Sequence, residues 1–292
     1  MTHQPQLCLG TVQFGLPYGV INQAGQVPED EVIRILDLAA SSGIELLDTA
    51  QAYGTAETVL GRCWPTGAPL RLVSKLTPGA GRQSWEASLH NSMERLQAQT
   101  LDGFLLHRAS DLLATDGEEL LNWLESLRER QLVKRIGVSI YDASELQGLP
   151  LDRLQLVQLP ISIYDQRLIC DGTVGRLRDL DIAVHVRSVL LQGLLLKSPE
   201  YWPAHLSVPF RNHHARWLDH LHQDGVSPLA GALGFVRECE GVEAVLCGVV
   251  SRHELAEVLE SWRQPKWSVE ENSEKWVWEN VMDIDPRRWP PR

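Results

Sequence analysis

Four residues in this 292-residue chain could do acid–base chemistry together, and each closes or follows a short apolar run. IELLDT ends with Asp48 and leads through AQAYG to Tyr53; LRLVSK ends on Lys75; DGFLLH ends on His107. Taken singly, each has an ordinary explanation. Asp48 could cap a helix, Lys75 could be a solvated charge, His107 a satisfied core histidine, and Tyr53 a packing residue. Taken together they form a proton-transfer set. A phenol titrates at about 10, too high to exchange protons freely near neutrality. A nearby ammonium favours the phenolate and lowers that value, and a carboxylate paired to the lysine keeps it charged and aimed. A histidine on the next strand can hold a carbonyl oxygen beside the phenol. In this reading Asp48 orients Lys75, Lys75 tunes Tyr53, and His107 positions the group that receives the proton.

Such a set needs a scaffold that brings strand ends to one place. Eight β-rich runs recur along the chain: QLCLGT, IELLDT, LRLVSK, DGFLLH, RIGVS, RLQLVQ, IAVHVRS and EAVLCG. Helical patterns lie between them. In PEDEVIRILDLAASSG, Val32, Ile35, Leu36 and Ala39 share one face, Pro28 suits the first turn and Gly43 the exit. Thr115 three before Glu118 and Ser251 three before Glu254 have the spacing of a capping box, and SPLAGALGFVRECEG opens Ser-Pro. Eight strand–helix units about thirty residues apart predict a (β/α)8 TIM barrel, whose chemistry sits at the carboxyl ends of the strands. A doubly wound sheet is the runner-up, but neither GxGxxG nor GxxxxGK[ST] occurs. The interval between strands seven and eight is long and aromatic, LKSPEYWPAHLSVPFRNHHARW, and reads as an insertion over the barrel mouth. With no linker to divide it, 1–292 is expected to be one domain.

Composition narrows the function. Lys and Arg number 27 against 38 Asp and Glu, a net charge of −11, which argues against nucleic acid or an anionic membrane as partner. No run approaches the length of a membrane span, and MTHQPQLCLG has no basic segment followed by an apolar one. Five scattered cysteines without CxxC point to a reduced, cytoplasmic protein with no structural zinc. Five histidines fall in the insertion (His205, His213, His214, His220, His222). No pair of them has the i, i+4 spacing of a helical two-histidine site, so no metal is expected. Five of the ten tryptophans (Trp262, Trp267, Trp276, Trp278, Trp289) crowd the end of the chain. They read more readily as pinning a tail than as lining a pocket.

The stretches GIELLDTAQAYGTAETVLG, LVSK, DGFLLH and RIGVS, with LGTVQFG at the start, VQLP, RSVLLQGLLL and CGVVSRHELAEVLES, resemble the aldo-keto reductase superfamily in its bacterial form. The resemblance spans nearly the whole chain. It implies a (β/α)8 barrel that binds NAD(P)H without a Rossmann fold and reduces aldehydes or ketones. It makes Tyr53 the general acid, Lys75 and Asp48 its tuning pair, and His107 the residue that orients the carbonyl while hydride passes from the nicotinamide. A monomer acting on a small-molecule carbonyl is the default.

The cofactor contacts implied by the resemblance are Gly10 and Thr11 after strand one, Ser139 and Gln158 at the carboxamide, and Ser188, Leu190 and Gly193 around the pyrophosphate. Gly248 and Ser251 lie where the last helix begins. The chain departs from the family pattern in four places. Ile140 stands for an asparagine, Arg187 for the aromatic under the nicotinamide, Val250 for a basic residue at the 2′-phosphate and Val258 for an asparagine near adenine. A planar guanidinium can stack on a ring, and Arg252 could replace the lost charge, which favours NADP(H) slightly over NAD(H). The pocket walls would come from residues 13–20, the segment after Trp85, Arg108, the insertion and the tryptophan-rich tail. The altered contacts leave a second reading open, a cofactor-binding regulatory subunit or redox sensor with little turnover.

Overall fold

In the computed structural model, which describes residues 4–264 and 273–290, eight parallel strands close into a barrel in sequence order, β1 pairing with β8. The strands are β1 (Gln6–Gly10), β2 (Leu46–Asp48), β3 (Arg71–Leu76), β4 (Leu101–Leu106), β5 (Val133–Ser139), β6 (Leu156–Pro160), β7 (Ala183–Arg187) and β8 (Ala244–Gly248). Side chains alternate between two cores, as the two-residue strand period requires. Cys8, Leu46, Val73, Leu105, Leu156, Ala244 and Leu246 fill the barrel, while neighbours such as Leu9, Leu47, Leu72 and Phe104 pack outward against the helices. Gly137 is required where β5 meets β6, since a Cβ there would lie 1.7 Å from the Leu156 carbonyl oxygen.

The helix Glu29–Ser41 buries the expected face, Val32, Ile35, Leu36 and Ala39, with Pro28 at its N-cap. Gly43 beyond its end has φ +80°, a conformation that suits glycine. Other expectations are corrected. No α-helix joins β5 to β6; two 3-10 turns, Ala143–Leu146 and Leu151–Arg153, do so instead, because Gly148 and Pro150 interrupt the segment. The Thr115–Glu118 box does not form: Gly117–Glu129 has Asp116 at its N-cap and no side-chain cap. Ser227 and Ser251 do cap their helices, accepting from Ala230 N and Glu254 N, both at 3.1 Å.

The amino-terminal floor of the barrel is an ion network. Asp102 takes Arg71 at 3.0 Å and Arg135 at 2.6 Å, and Arg135 continues to Glu243 at 2.7 Å. The insertion after β7 carries a helix of its own. Its helix Val208–Gln223 packs with the tail: His213 Nε2 meets the Trp276 carbonyl at 3.1 Å, the Trp278 amide donates to the Tyr164 carbonyl at 2.9 Å, and Asp283 accepts from the Ser207 amide at 2.9 Å. The tryptophans Trp276, Trp278 and Trp289 pack against His213, Phe210 and His205, so they pin the tail; Trp267 lies outside the described residues. Among the described residues no helix is long and apolar enough to cross a membrane, and no group of three His, Cys, Asp or Glu is placed to hold a metal ion.

His214 lies at the heart of this aromatic cluster, stacked on Trp202 at 4.5 Å and bonded through its two nitrogens to the Tyr164 hydroxyl and the Lys197 carbonyl. Burial pushes its pKa from 6.5 down to about 4. The unfolded chain therefore takes up this proton first. The stability that neutral His214 contributes is complete above about pH 6.5 and is lost as pH falls toward 4, by up to about 3 kcal/mol. The urea midpoint should drop across that window. In His214→Gln the drop should be shallower and the starting stability at pH 7 lower by ~1–3 kcal/mol; an unchanged pH slope would assign the acid sensitivity to other groups.

Candidate active site

The carboxyl ends of β2, β3 and β6 meet in one buried contact. Lys75, fully buried, places its Nζ 2.6 Å from Asp48 Oδ1 and donates to the Thr49 carbonyl at 2.9 Å. The Gln158 amide donates to Asp48 Oδ2 at 2.7 Å. An ammonium taken out of water is tolerated only when paired and hydrogen-bonded. Desolvation pulls the Lys75 pKa down, and Asp48 opposes the fall.

Tyr53 and His107 stand over this pair. The Lys75 ammonium lies 5.2 Å from the Tyr53 ring centroid, and the Tyr53 and His107 rings meet edge to face, centroids 5.8 Å apart. Two glycines deliver Tyr53. A Cβ on Gly15 would sit 1.9 Å from the Tyr53 carbonyl oxygen, and Gly54, at φ +57°, presses against the Gly15 carbonyl. The loops after β1 and β2 are thereby locked together. The expected lowering of the phenol pKa is not what this geometry gives. Burial, reinforced by the Asp48 charge, pushes Tyr53 above its ordinary value, and the opposing cation is Arg187. Asp48 offsets the Lys75 charge at close range, so Tyr53 rests as a neutral hydroxyl. Burial and the Lys75 charge bring His107 down to about 4, leaving a neutral imidazole.

Asp48, Tyr53, His107 and Gln158, but not Lys75, line a cavity of about 980 Å³ that runs across the ends of β5 to β8, at the upper end of the ~300–1,000 Å³ of small-molecule sites. Gly10, Thr11, Ser139, Gln158, Arg187, Ser188, Leu190, Gly193 and Gly248 are on its wall. Ser251 and Arg252 are not, and Arg252 is exposed with its amide donating to Glu31 Oε1 at 2.6 Å. Also off the wall are the segment after Trp85, the tail tryptophans of the described residues, and Arg108, which is ion-paired to Asp111 at 2.5 Å. The insertion contributes only its flanks, Leu196, Lys197 and 227–229. Arg187 is held by the Ile140 carbonyl at 2.8 Å and stacks on Tyr141, its Cζ 3.7 Å from the ring centroid. Arg287 of the tail covers Tyr141 as well, at 3.9 Å. Gln13 and Tyr18 of the expected 13–20 segment are on the wall, and Tyr141 and Glu254 are wall residues that sequence reasoning missed. Tyr141 follows the end of β5 by two positions, a signal that a full census of strand ends would have caught.

The family model described as "Aldo/keto reductase family" matches residues 6–274, nearly the whole described chain. The chain belongs to this family. Among curated aldo-keto reductases it is 31% identical over 131 residues to one from Mycolicibacterium vanbaalenii, covering 43% of this chain and 46% of that protein. It is 28% identical over 201 residues to one from Strobilurus tenacellus, covering 63% and 56%. The chain spans about half the length of the curated relatives it matches. The fold is that of an aldo-keto reductase from Bacillus halodurans in its holo form (TM-score 0.75, 20% identity, 95% of each chain). It is also that of a Klebsiella pneumoniae aldo/keto reductase in complex with NADP and acetate (TM-score 0.71, 19% identity, 93% and 91%).

The buried pair makes a stability prediction. Asp48→Asn should lower unfolding free energy by roughly 3–5 kcal/mol, because it strands the Lys75 ammonium. Adding Lys75→Met should recover part of that loss. Additive effects in a denaturant double-mutant cycle would show that the two side chains are not coupled.

Proposed function

We propose that the protein is an NAD(P)H-dependent reductase of a small aldehyde or ketone, with Tyr53 as general acid, His107 orienting the carbonyl, and Asp48 and Lys75 holding both in place. The observation that carries this reading is a pair of buried polar atoms without a partner on the cavity wall, Gln158 Oε1 and His107 Nδ1. Gln158 is fully buried and spends its amide nitrogen on Asp48, so its oxygen is left for a donor arriving in the cavity. A carboxamide supplies such a donor, with Ser139 next to Gln158 across the β5–β6 register to take its oxygen. The residues present therefore fit a nicotinamide there. Ser188, Leu191, Gln192 and Gly193 all have left-handed backbone, φ between +45° and +90°, and Ser188, Gln192 and Gly193 line the next part of the wall, where turned backbone amides suit a pyrophosphate.

When bound, the reduced cofactor supplies the hydride equivalent. The residues of the chain supply the rest. His107, kept neutral, can donate one N–H to a substrate oxygen, which draws electron density from the carbonyl carbon. Tyr53, protonated at rest, gives its proton to that oxygen as charge develops on it. The Lys75 ammonium then stabilises the phenolate, and Asp48 keeps that ammonium from swinging away. The cofactor class follows relatives solved with NADP or NADPH. The expected slight preference for NADP(H) over NAD(H) rested on Arg252, which lies off the wall, so the preference falls to the groups that do line the far end. The sensor reading draws on Arg187 and Ile140; tight cofactor binding without turnover on any carbonyl would favour it.

Tyr53→Phe should lower the rate of reduction by roughly 10²–10⁴-fold while leaving cofactor affinity nearly unchanged; retained turnover in a single-turnover assay would remove Tyr53 from the acid role. In the unmodified enzyme, with His107 titrating at about 4 and Tyr53 above its ordinary value, the reduction rate should be flat from about pH 5 to 9. Alcohol oxidation, which needs the phenolate, should rise with pH. A reduction rate with a midpoint near 6.5 would place a titrating group elsewhere. Arg187 beside the ring should also make the oxidised, positively charged cofactor bind more weakly than the reduced one, and equal dissociation constants would exclude that role.

A further inference from the structure

The cavity end farthest from Tyr53 is acidic, and that bears on which dinucleotide it accepts. Its wall there is one face of the helix Arg252–Arg263, which presents Glu254, Glu257 and Glu260. Two of the amides at the start of this helix already have carboxylate partners. Glu254 Oε2 accepts from Val250 N at 2.8 Å, and Glu31 Oε1 accepts from Arg252 N at 2.6 Å. Glu31 is held below the usual carboxylate range by that amide and by Arg34. The attraction of a helix N-terminus for phosphate is thus largely offset by the protein's own anions. The cations of the wall are Arg187, committed to Ile140 and Tyr141 beside the reacting end, and the exposed Lys197. The remaining basic groups of the helix, Arg252, His253 and Arg263, are exposed and off this wall, and His253 faces Glu257 at 3.7 Å.

We propose that this site selects NAD(H), and that Glu254, assisted by Glu257, rejects the 2′-phosphate of NADP(H). The inference rests on the nicotinamide reading of the cavity. Gln158, Ser139, the loop after β7 and this helix line one continuous cavity, so a dinucleotide with its nicotinamide at Gln158 would have its adenosine end at the helix. A carboxylate has about four acceptor positions, so Glu254 can keep the Val250 amide and still accept from the 2′- and 3′-hydroxyls of an unphosphorylated ribose. Facing a 2′-phosphate, the same oxygens lose the 2′-hydroxyl donor and meet a negative charge in its place. Unlike a basic residue at this position, a glutamate discriminates by repulsion as well as by attraction.

Titration of the full chain with NADH and with NADPH, followed by quenching of tryptophan fluorescence, tests this without any turnover. NADH should bind about tenfold or more tighter than NADPH at low salt, and the gap should narrow as KCl is raised, because the repulsion is screened. Glu254→Gln keeps an acceptor for Val250 N. It should strengthen NADPH binding about tenfold while leaving NADH within roughly twofold. Glu257→Gln, which makes no backbone bond, should shift the ratio the same way by less, and it carries the test if Glu254→Gln lowers the melting temperature. Equal or tighter NADPH binding in the unmodified protein would overturn the proposal, most directly if Arg252→Ala then abolished it. Binding of neither dinucleotide would overturn the nicotinamide reading itself, and the selectivity with it.

Discussion

A buried ammonium is the constraint around which this molecule is organised. Lys75 sits in the barrel with no access to water, and its charge is tolerated because Asp48, one strand away, meets it at 2.6 Å while the Thr49 carbonyl accepts a second N–H. Asp48 in turn is held by Gln158 from the far side of the barrel. Three strands must therefore be in register before the charge is satisfied, and the ends of those strands cannot drift. Everything chemical about the mouth stands on that floor: the neutral phenol, the neutral imidazole and the free oxygen of Gln158. Such a pair is a poor source of net stability. Its contribution is geometric, fixing where charge lies before any substrate arrives.

Around this fixed point the protein uses contacts of very different reach. Gly15 and Gly54 bring two neighbouring loops into backbone contact and so aim Tyr53. At the other extreme, Tyr141 lies between Arg187, from the wall of the cavity, and Arg287, from the end of the chain. Arg287 is itself fixed by Asp285 and Glu145. The tail, pinned by its tryptophans against the insertion, thereby supports the cavity from behind without lining it.

Much of this was legible in the sequence, for a physical reason. A barrel strand alternates its side chains, so a polar residue closing an apolar run marks the mouth; Asp48, Lys75 and His107 announce themselves in this way, and the helix face Val32, Ile35, Leu36 and Ala39 follows from its 3.6-residue spacing. Features that depend on distant partners were not legible. Arg187 is an aromatic replaced by a cation until Tyr141 and Arg287 are seen beside it. Ser251 and Glu254 read as a helix cap, and they are one, but only the fold shows that the carboxylate also faces the cavity while Arg252 turns away. The connection from β5 to β6 kept the spacing of a strand–helix unit, yet Gly148 and Pro150 allow only 3-10 turns.

The closure of the barrel has a kinetic side. β1 finds its second neighbour only in β8, more than two hundred residues later, with Gly10 opposite Gly248. Until that late strand is made, the first strand keeps an open edge, and the sheet can complete its hydrogen bonding only through a contact of the longest sequence separation, which is slow to form. The cavity lies across this seam, with Gly10, Thr11 and Gln13 on one lip and Gly248 to Val250 on the other. A molecule resting there touches both ends of the folding path at once and acts as a clasp on the last joint to close. Its binding free energy would be felt as resistance of the whole barrel to opening. The protein's lifetime between openings would then follow the supply of its ligand.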